Sequence, residues 1–302
     1  MTKTSSSDTS PAVAVSSNST FNHRNFIGRD GLRLAADVGG DPDRPSVILL
    51  HGGGQTRHSW HGTMRKLIAR GYYVLNLDTR GHGESEWSAS GDYSFDAMAD
   101  DLVVVAASLP TLPAFVGASM GGCTALCAVG RVLNPVASAL VLVDVVPRID
   151  PKGAARIIAF MQGHPQGFAT VEEAADAVAA YNPHRPRPRD FSGLMKNLRR
   201  HDDGRLYWHW DPRLLTGPNL VEPPLMAERL LDLCKGIHVP TLLVRGMESE
   251  IVSEAGVAEL RAHLPQVDVF DVANAGHMVA GDRNDVFNAG ILDFLAQHCR
   301  PG

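Results

Sequence analysis

Phe115-Val116-Gly117-Ala118-Ser119-Met120-Gly121-Gly122 is an apolar run that ends in a serine set between small residues and passes into a segment of helical character. The spacing Gly117-x-Ser119-x-Gly121 fits a strand that turns sharply into a helix with the serine on the turn. A serine held there is strained, and a side chain at Gly117 or Gly121 would collide with the adjoining strand or helix. The turn lifts the Ser119 hydroxyl above the sheet. It also puts the Met120 N–H at a helix N-terminus, where an unpaired donor and the positive end of the helix dipole favour developing negative charge. A Gly-rich turn without chemistry is the other reading of so short a pattern, and the flanking sequence decides between them.

Upstream, Ser46-Val47-Ile48-Leu49-Leu50 reads as a strand buried on both faces of a parallel sheet. It empties into His51-Gly52-Gly53-Gly54-Gln55, where consecutive glycines let backbone N–H groups turn toward a ligand. A phosphate loop is excluded because no Gly-Lys-Ser/Thr follows, and the spacing does not suit a dinucleotide site. Before that strand, Phe26 to Val38 reads as a hairpin around Asp30-Gly31. After it, Met64 to Arg70 reads as a helix, Tyr72 to Leu77 as a strand, and Asp78 to Ser85 as a Gly-interrupted loop. His82 in that loop precedes the serine and reads as a brace. Ser94 is an N-cap for a helix through about Ala107.

Downstream, Ala139 to Val143 is a further buried strand that ends in Asp144. From residue 147 to 235 the rhythm of short apolar strands stops, which predicts a helical lid inserted between two sheet strands, with a Pro- and Arg-rich connector at 182–189. Phe160, Tyr207, Trp208 and Trp210 are its substrate-lining candidates, although such residues also build a lid's own core. Alternation resumes with a strand over Val239 to Gly246, then Glu248 and Glu250, a helix capped by Ser253, a strand over Val267 to Asp271, and Ala275-Gly276-His277. A helix over about 282–298 closes the chain. The organisation predicted is a disordered tail over 1–22, a core of 23–146 and 236–302, and the lid between them.

The net charge of −5 gives no electrostatic reason to bind nucleic acid or anionic lipid, and no apolar run reaches the ~18 residues a membrane span needs. Cys123, Cys127, Cys234 and Cys299 show neither a C-x-x-C pair nor metal-site spacing, so reduced thiols in a cytoplasmic protein are expected. No metal, cofactor or oligomeric state is read from the sequence.

In order, the chain offers a Gly-rich loop after a strand, a serine turn, an acid after a later strand, and Gly-His after the last strand. That order, carried by His51-Gly52-Gly53-Gly54, Asp78 to Ser85, Gly117 to Gly121 and Asn274-Ala275-Gly276-His277, resembles the α/β-hydrolase superfamily in its lidded, cofactor-free branch. The resemblance implies an α/β fold with a mostly parallel sheet and helices on both faces. It implies Ser119 as nucleophile, His277 as general base, and N–H groups of Met120 and Gly53 (alternatively Gly54) as oxyanion donors. The acid is expected at Glu250, with Asp144 the alternative and Glu248 third. The expected activity is hydrolysis of a small carboxylic ester or lactone through an acyl-enzyme. A C–C bond hydrolase of a β-diketone-like substrate, or a small-molecule receptor on the same fold, are the alternatives.

Overall fold

The computed structural model describes residues 21–182, 190–216, 222–277 and 287–300. The expected tail up to residue 20, the connector at 183–189 and the start of the last helix at 282 lie outside them. Asn22 belongs to the first strand rather than to a tail.

β1 (Asn22–Ile27) and β2 (Arg33–Gly39) pair antiparallel around Gly31, whose φ of 79° only glycine adopts freely. β3 (Ser46–Leu50), α1 (His61–Ala69) and β4 (Tyr73–Leu77) follow, then α2 (Phe95–Ala107), whose Ala97 N–H donates to the Ser94 hydroxyl at 3.2 Å. β5 (Ala114–Ala118), α3 (Met120–Gly130) and β6 (Ala139–Val143) form the centre. The inserted segment contains α4 (Pro151–Gln162), α5 (Val171–Tyr181), α6 (Ser192–Met195), β7 (Leu198–Arg200) and β8 (Leu206–Trp208). α7 (Pro223–Cys234), β9 (Thr241–Gly246), α8 (Glu254–His263), β10 (Val267–Val272) and α9 (Asn288–His298) complete the chain.

Eight strands form one sheet in the order β1-β2-β4-β3-β5-β6-β9-β10. β1 and β2 are antiparallel additions, and every pairing from β4 through β10 is parallel. The apolar runs of β3, β5 and β6 are buried at every position because helices cover both faces. Alternate residues feed two cores. Ile48 and Leu50 pack with Leu102, Ala125 and Leu260 from α2, α3 and α8. Val47 and Leu49 pack with Met64, Leu67, Ile291 and Leu295 from α1 and α9. Chain order reverses between β3 and β5, so the loops leaving their carboxyl ends splay apart and open a crevice.

Two features of the insertion depart from the expectation. It is not wholly helical: β7 and β8 form a small antiparallel hairpin, turning at Gly204, with Leu206 and Trp208 buried. Nor does it extend to residue 235, because α7 sets Leu230 and Cys234 into the same core as α3 and α8. A third core, built around Met161, Phe168, Leu206, Trp208 and Trp210, holds the insertion together above the sheet. No helix among the described residues is long and apolar enough to cross a membrane.

Candidate active site

The β5–α3 turn holds Ser119 at φ 48° and ψ −115°, a conformation costly for any residue with a side chain. The surroundings impose it. A Cβ on Gly117 would lie 2.3 Å from the Gly121 carbonyl oxygen, and one on Gly121 would lie 2.6 Å from that of Leu50. Only glycines let β3, β5 and α3 approach this closely. The Ser119 N–H donates to Val143 O at 3.1 Å, which ties the turn to the end of β6.

At that end Asp144 also has a positive φ, 49°, and its side chain is almost wholly buried. Its Oδ1 accepts the Gly246 N–H at 3.0 Å, and its Oδ2 accepts the Ser249 hydroxyl at 2.8 Å and the His277 Nδ1–H at 2.8 Å. The carboxylate can only accept, so the proton of this last bond sits on Nδ1 and Nε2 is left free to accept. Glu250, the expected acid, is placed away from the imidazole. Its side chain is half exposed and paired with Arg156 of α4, while the exposed Glu248 contributes a backbone N–H to Ala275 O at 2.9 Å. The loop after β9 is turned inward at Ser249, whose hydroxyl also accepts the Ile251 and Val252 N–H groups at 3.3 and 3.2 Å. That turn leaves Glu250 facing α4 rather than the histidine. Asp144, one residue past an apolar run, was the legible alternative.

On the other side of Ser119 lies the glycine loop. The Gly54 N–H donates to His82 Nε2 at 3.3 Å, and the Gly52 N–H to Gln55 Oε1 at 3.1 Å. Gly53 N–H has no partner among the described residues, and a Cβ built on Gly53 would stand 3.9 Å from that of Met120. Gly54, the alternative donor, is thus already engaged, whereas Gly53 lies against Met120, the first residue of α3. His82 does brace: its Nδ1–H donates to Arg80 O at 3.2 Å, while His51 Nε2 accepts the Thr79 N–H at 3.1 Å. His209, from the insertion, accepts the Gly83 N–H at 2.7 Å. The three rings form a buried column, with centroids 5.0 and 5.7 Å apart. Burial lowers the basicity of all three, with the His82 pKa pushed down to about 3.

Ser119, His277, Gly53 and Met120 line one cavity of about 300 Å³, walled by Met98, Ile157, Met161, Leu214, Met226 and Leu230. Arg213 also reaches the wall. Its guanidinium is bound to the buried Asp211 at 2.7 Å and to Ser88 O at 2.9 Å, so its charge is spent within the protein. Phe160, Tyr207, Trp208 and Trp210 are not among the lining residues. Trp208 and Trp210 stack on each other in the insertion's core, Phe160 packs on Tyr181 and Trp208, and Tyr207 bonds Asp203 and stacks on His201. From the insertion and α7 the cavity instead takes Ile157, Met161, Leu214, Met226 and Leu230, and the inward faces of α4 and α7 are not distinguishable in sequence from an ordinary core stripe. Cys123 is at the wall too, but burial raises its thiol pKa and keeps it protonated.

The chain matches the alpha/beta hydrolase fold family over residues 45–283. It is 31% identical over 249 residues to the esterase Rv0045c of Mycobacterium tuberculosis, spanning 79% of this chain and 78% of that protein. It is 30% identical over 258 residues to the 3-hydroxybutyrate-oligomer hydrolase of Cupriavidus necator, spanning 81% and 87% of the two. The crystal structure of an α/β hydrolase from Novosphingobium aromaticivorans superposes with a TM-score of 0.74 over 92% of this chain and 98% of that one, at 24% identity. With the family matched over residues 45–283 and two relatives at 30–31% identity spanning 79% and 81% of its length, the chain belongs to the alpha/beta hydrolase fold family and is a hydrolase.

Proposed function

We propose that the protein cleaves a small, uncharged carboxylic ester or lactone through an acyl-enzyme, with Ser119 as nucleophile, His277 as general base and Asp144 as the acid that orients it. The observation that carries this reading is the His277–Asp144 hydrogen bond in the wall of the cavity that Ser119 also lines. His277 Nε2 takes the Ser119 proton as Oγ attacks the ester carbonyl. The negative charge that develops on the carbonyl oxygen falls to the N–H groups of Met120 and Gly53. Asp144, held by Gly246 and Ser249, stabilises the imidazolium and keeps its proton on Nδ1. His277 then protonates the leaving alkoxide, and water repeats the sequence on the acyl group.

The apolar wall and the internally paired Arg213 favour a neutral acyl chain over a dicarboxylic or charged substrate. The volume, at the low end for ligand cavities, favours a small one. The names of the two relatives, an esterase and a hydrolase of hydroxybutyrate oligomers, are consistent with ester chemistry.

The test is intact-mass spectrometry after exposure to a small fluorophosphonate, on wild type, Ser119→Ala and His277→Ala. A single adduct on wild type that both variants lack, together with turnover of p-nitrophenyl butyrate by wild type alone, is expected. Labelling of Ser119→Ala at the wild-type rate, or ester turnover by it, would overturn the mechanism.

A further inference from the structure

A second cluster of reactive side chains lies where the start of α1 meets the antiparallel edge of the sheet. Asp37 of β2, His58 of the short 3₁₀ turn Arg57–Trp60, and His61 at the start of α1 each bring a ligand-type atom within 4.8 Å of the other two. His58 and His61 are three residues apart in a continuous helical run, which sets both imidazoles on one face. Their rings meet edge to face with centroids 4.9 Å apart.

Three further observations set this cluster apart from an ordinary Asp–His pair. Asp37 divides its oxygens: Oδ2 faces His61 Nε2 at 2.7 Å, and Oδ1 faces Arg57 Nε at 3.1 Å. His58 Nδ1 is buried with no hydrogen-bond partner among the described residues, so it has lost its water without a replacement. The third is the density of charge beside it: Arg57 pairs at once with Asp37, Asp78 and Glu84, and the last two also face Arg199.

We propose that Asp37, His58 and His61 bind a divalent first-row transition ion of the zinc or cobalt kind. Two imidazoles and a carboxylate are donors such ions accept, whereas magnesium and calcium take oxygen shells. The ion enters between Asp37 Oδ2 and His61 Nε2, displacing the proton they share and spreading them from 2.7 Å to the separation of about 3.3 Å that tetrahedral bonds of about 2.0–2.1 Å require. Oδ1 stays on Arg57, which orients the carboxylate as outer-shell partners of metal ligands do. The fourth position falls to water or to His23, which stands opposite Asp37 in the β1–β2 register with Nδ1 3.6 Å from Oδ1.

The test uses the full chain, stripped with chelator and titrated with zinc chloride by calorimetry and with cobalt(II) chloride by visible absorption. Wild type is compared with His58→Ala, His61→Ala, His58→Gln and His277→Ala. The expected result is one ion per chain, the visible bands of four-coordinate cobalt, affinity at least tenfold weaker in each His58 and His61 variant, and wild-type binding in His277→Ala. Circular dichroism and thermal melting of the metal-free variants separate loss of ligands from loss of fold, and His58→Gln preserves bulk if His58→Ala does not fold. No binding by wild type overturns the proposal. So does wild-type affinity in the His58 and His61 variants, which would put the ion on other histidines, or loss of binding in His277→Ala, which would put it in the catalytic cavity.

Discussion

Asp144→Asn and Glu250→Gln separate the two carboxylates that compete for the role of acid. In Asp144→Asn the shape is kept but the donors change. The Gly246 N–H, 3.0 Å from Oδ1, still requires an acceptor there, so the new carboxamide oxygen takes that place and its NH₂ faces Ser249 and His277. An NH₂ opposite Nδ1 makes Nδ1 an acceptor and moves the imidazole proton to Nε2, where it can no longer receive the proton of Ser119. The loss expected is on the order of 10⁴-fold in kcat, or about 5.5 kcal/mol of transition-state stabilisation. Stability changes little by comparison, because two of the site's hydrogen bonds survive in altered sense. Glu250→Gln removes only a half-exposed pair with Arg156, an interaction of the class worth about 0–1 kcal/mol, so kcat stays within about twofold of wild type. The assay is initial-rate hydrolysis of p-nitrophenyl butyrate, normalised by fluorophosphonate titration of active sites. The reasoning is refuted if Asp144→Asn keeps more than a tenth of wild-type kcat, or if Glu250→Gln loses more than Asp144→Asn.

Acid should destabilise the fold through its buried histidines. His51, His82 and His209 resist protonation in the native state, with His82 held near 3, while their unfolded counterparts charge near 6.5. The unfolded chain therefore binds more protons below that point, and stability falls as pH drops from about 6.5 toward 4 by on the order of 1.4 kcal/mol per pH unit from His82, with His51 and His209 adding loss in the same direction. Urea melts at intervals across that window measure the slope, and a flat profile would contradict the burial of the column. Met161→Trp should fill part of the cavity and lower kcat/KM for p-nitrophenyl octanoate at least tenfold while sparing the acetate ester; equal losses on both would place the acyl chain elsewhere. Asp101→Ala should cost about 1.5–3 kcal/mol, because it removes the paired bond to the fully buried Arg80, whose Nε and terminal nitrogen it binds at 2.6 and 2.8 Å, and leaves the guanidinium with the exposed Asp30 at 3.0 Å. A chemical-denaturation loss below 1 kcal/mol would show that water reaches the guanidinium.

Where short-range chemistry decides, the residues could be read directly. The apolar runs at Ser46–Leu50, Ala114–Ala118 and Ala139–Val143 are strands because nothing but the interior of a parallel sheet accepts five consecutive buried positions. The glycines at 117 and 121 announced a turn in which any Cβ would strike backbone, and Ser94 and Ser253 announced their helices through the N–H groups they accept. The places of Ser119 and His277 in their loops were legible for the same reason, since each sits at a fixed offset from a strand end. Which carboxylate meets His277 was not. Asp144 and Glu250 both follow sheet strands, and only the inward turn at Ser249 and the packing of α4 against that loop, where a Cβ on Gly153 would lie 2.3 Å from Glu250 O, send one to the imidazole and the other to Arg156. The insertion was opaque for a related reason: the aromatics Phe160, Trp208 and Trp210 pack in a core of their own, and the part of the cavity wall that α4 and α7 supply is aliphatic, its role set by how those helices sit over the sheet. Local sequence constrains φ, ψ and the face a residue presents within its own element. The meeting of side chains from elements a hundred residues apart is set by the packing of whole layers, which no single stretch of the chain encodes.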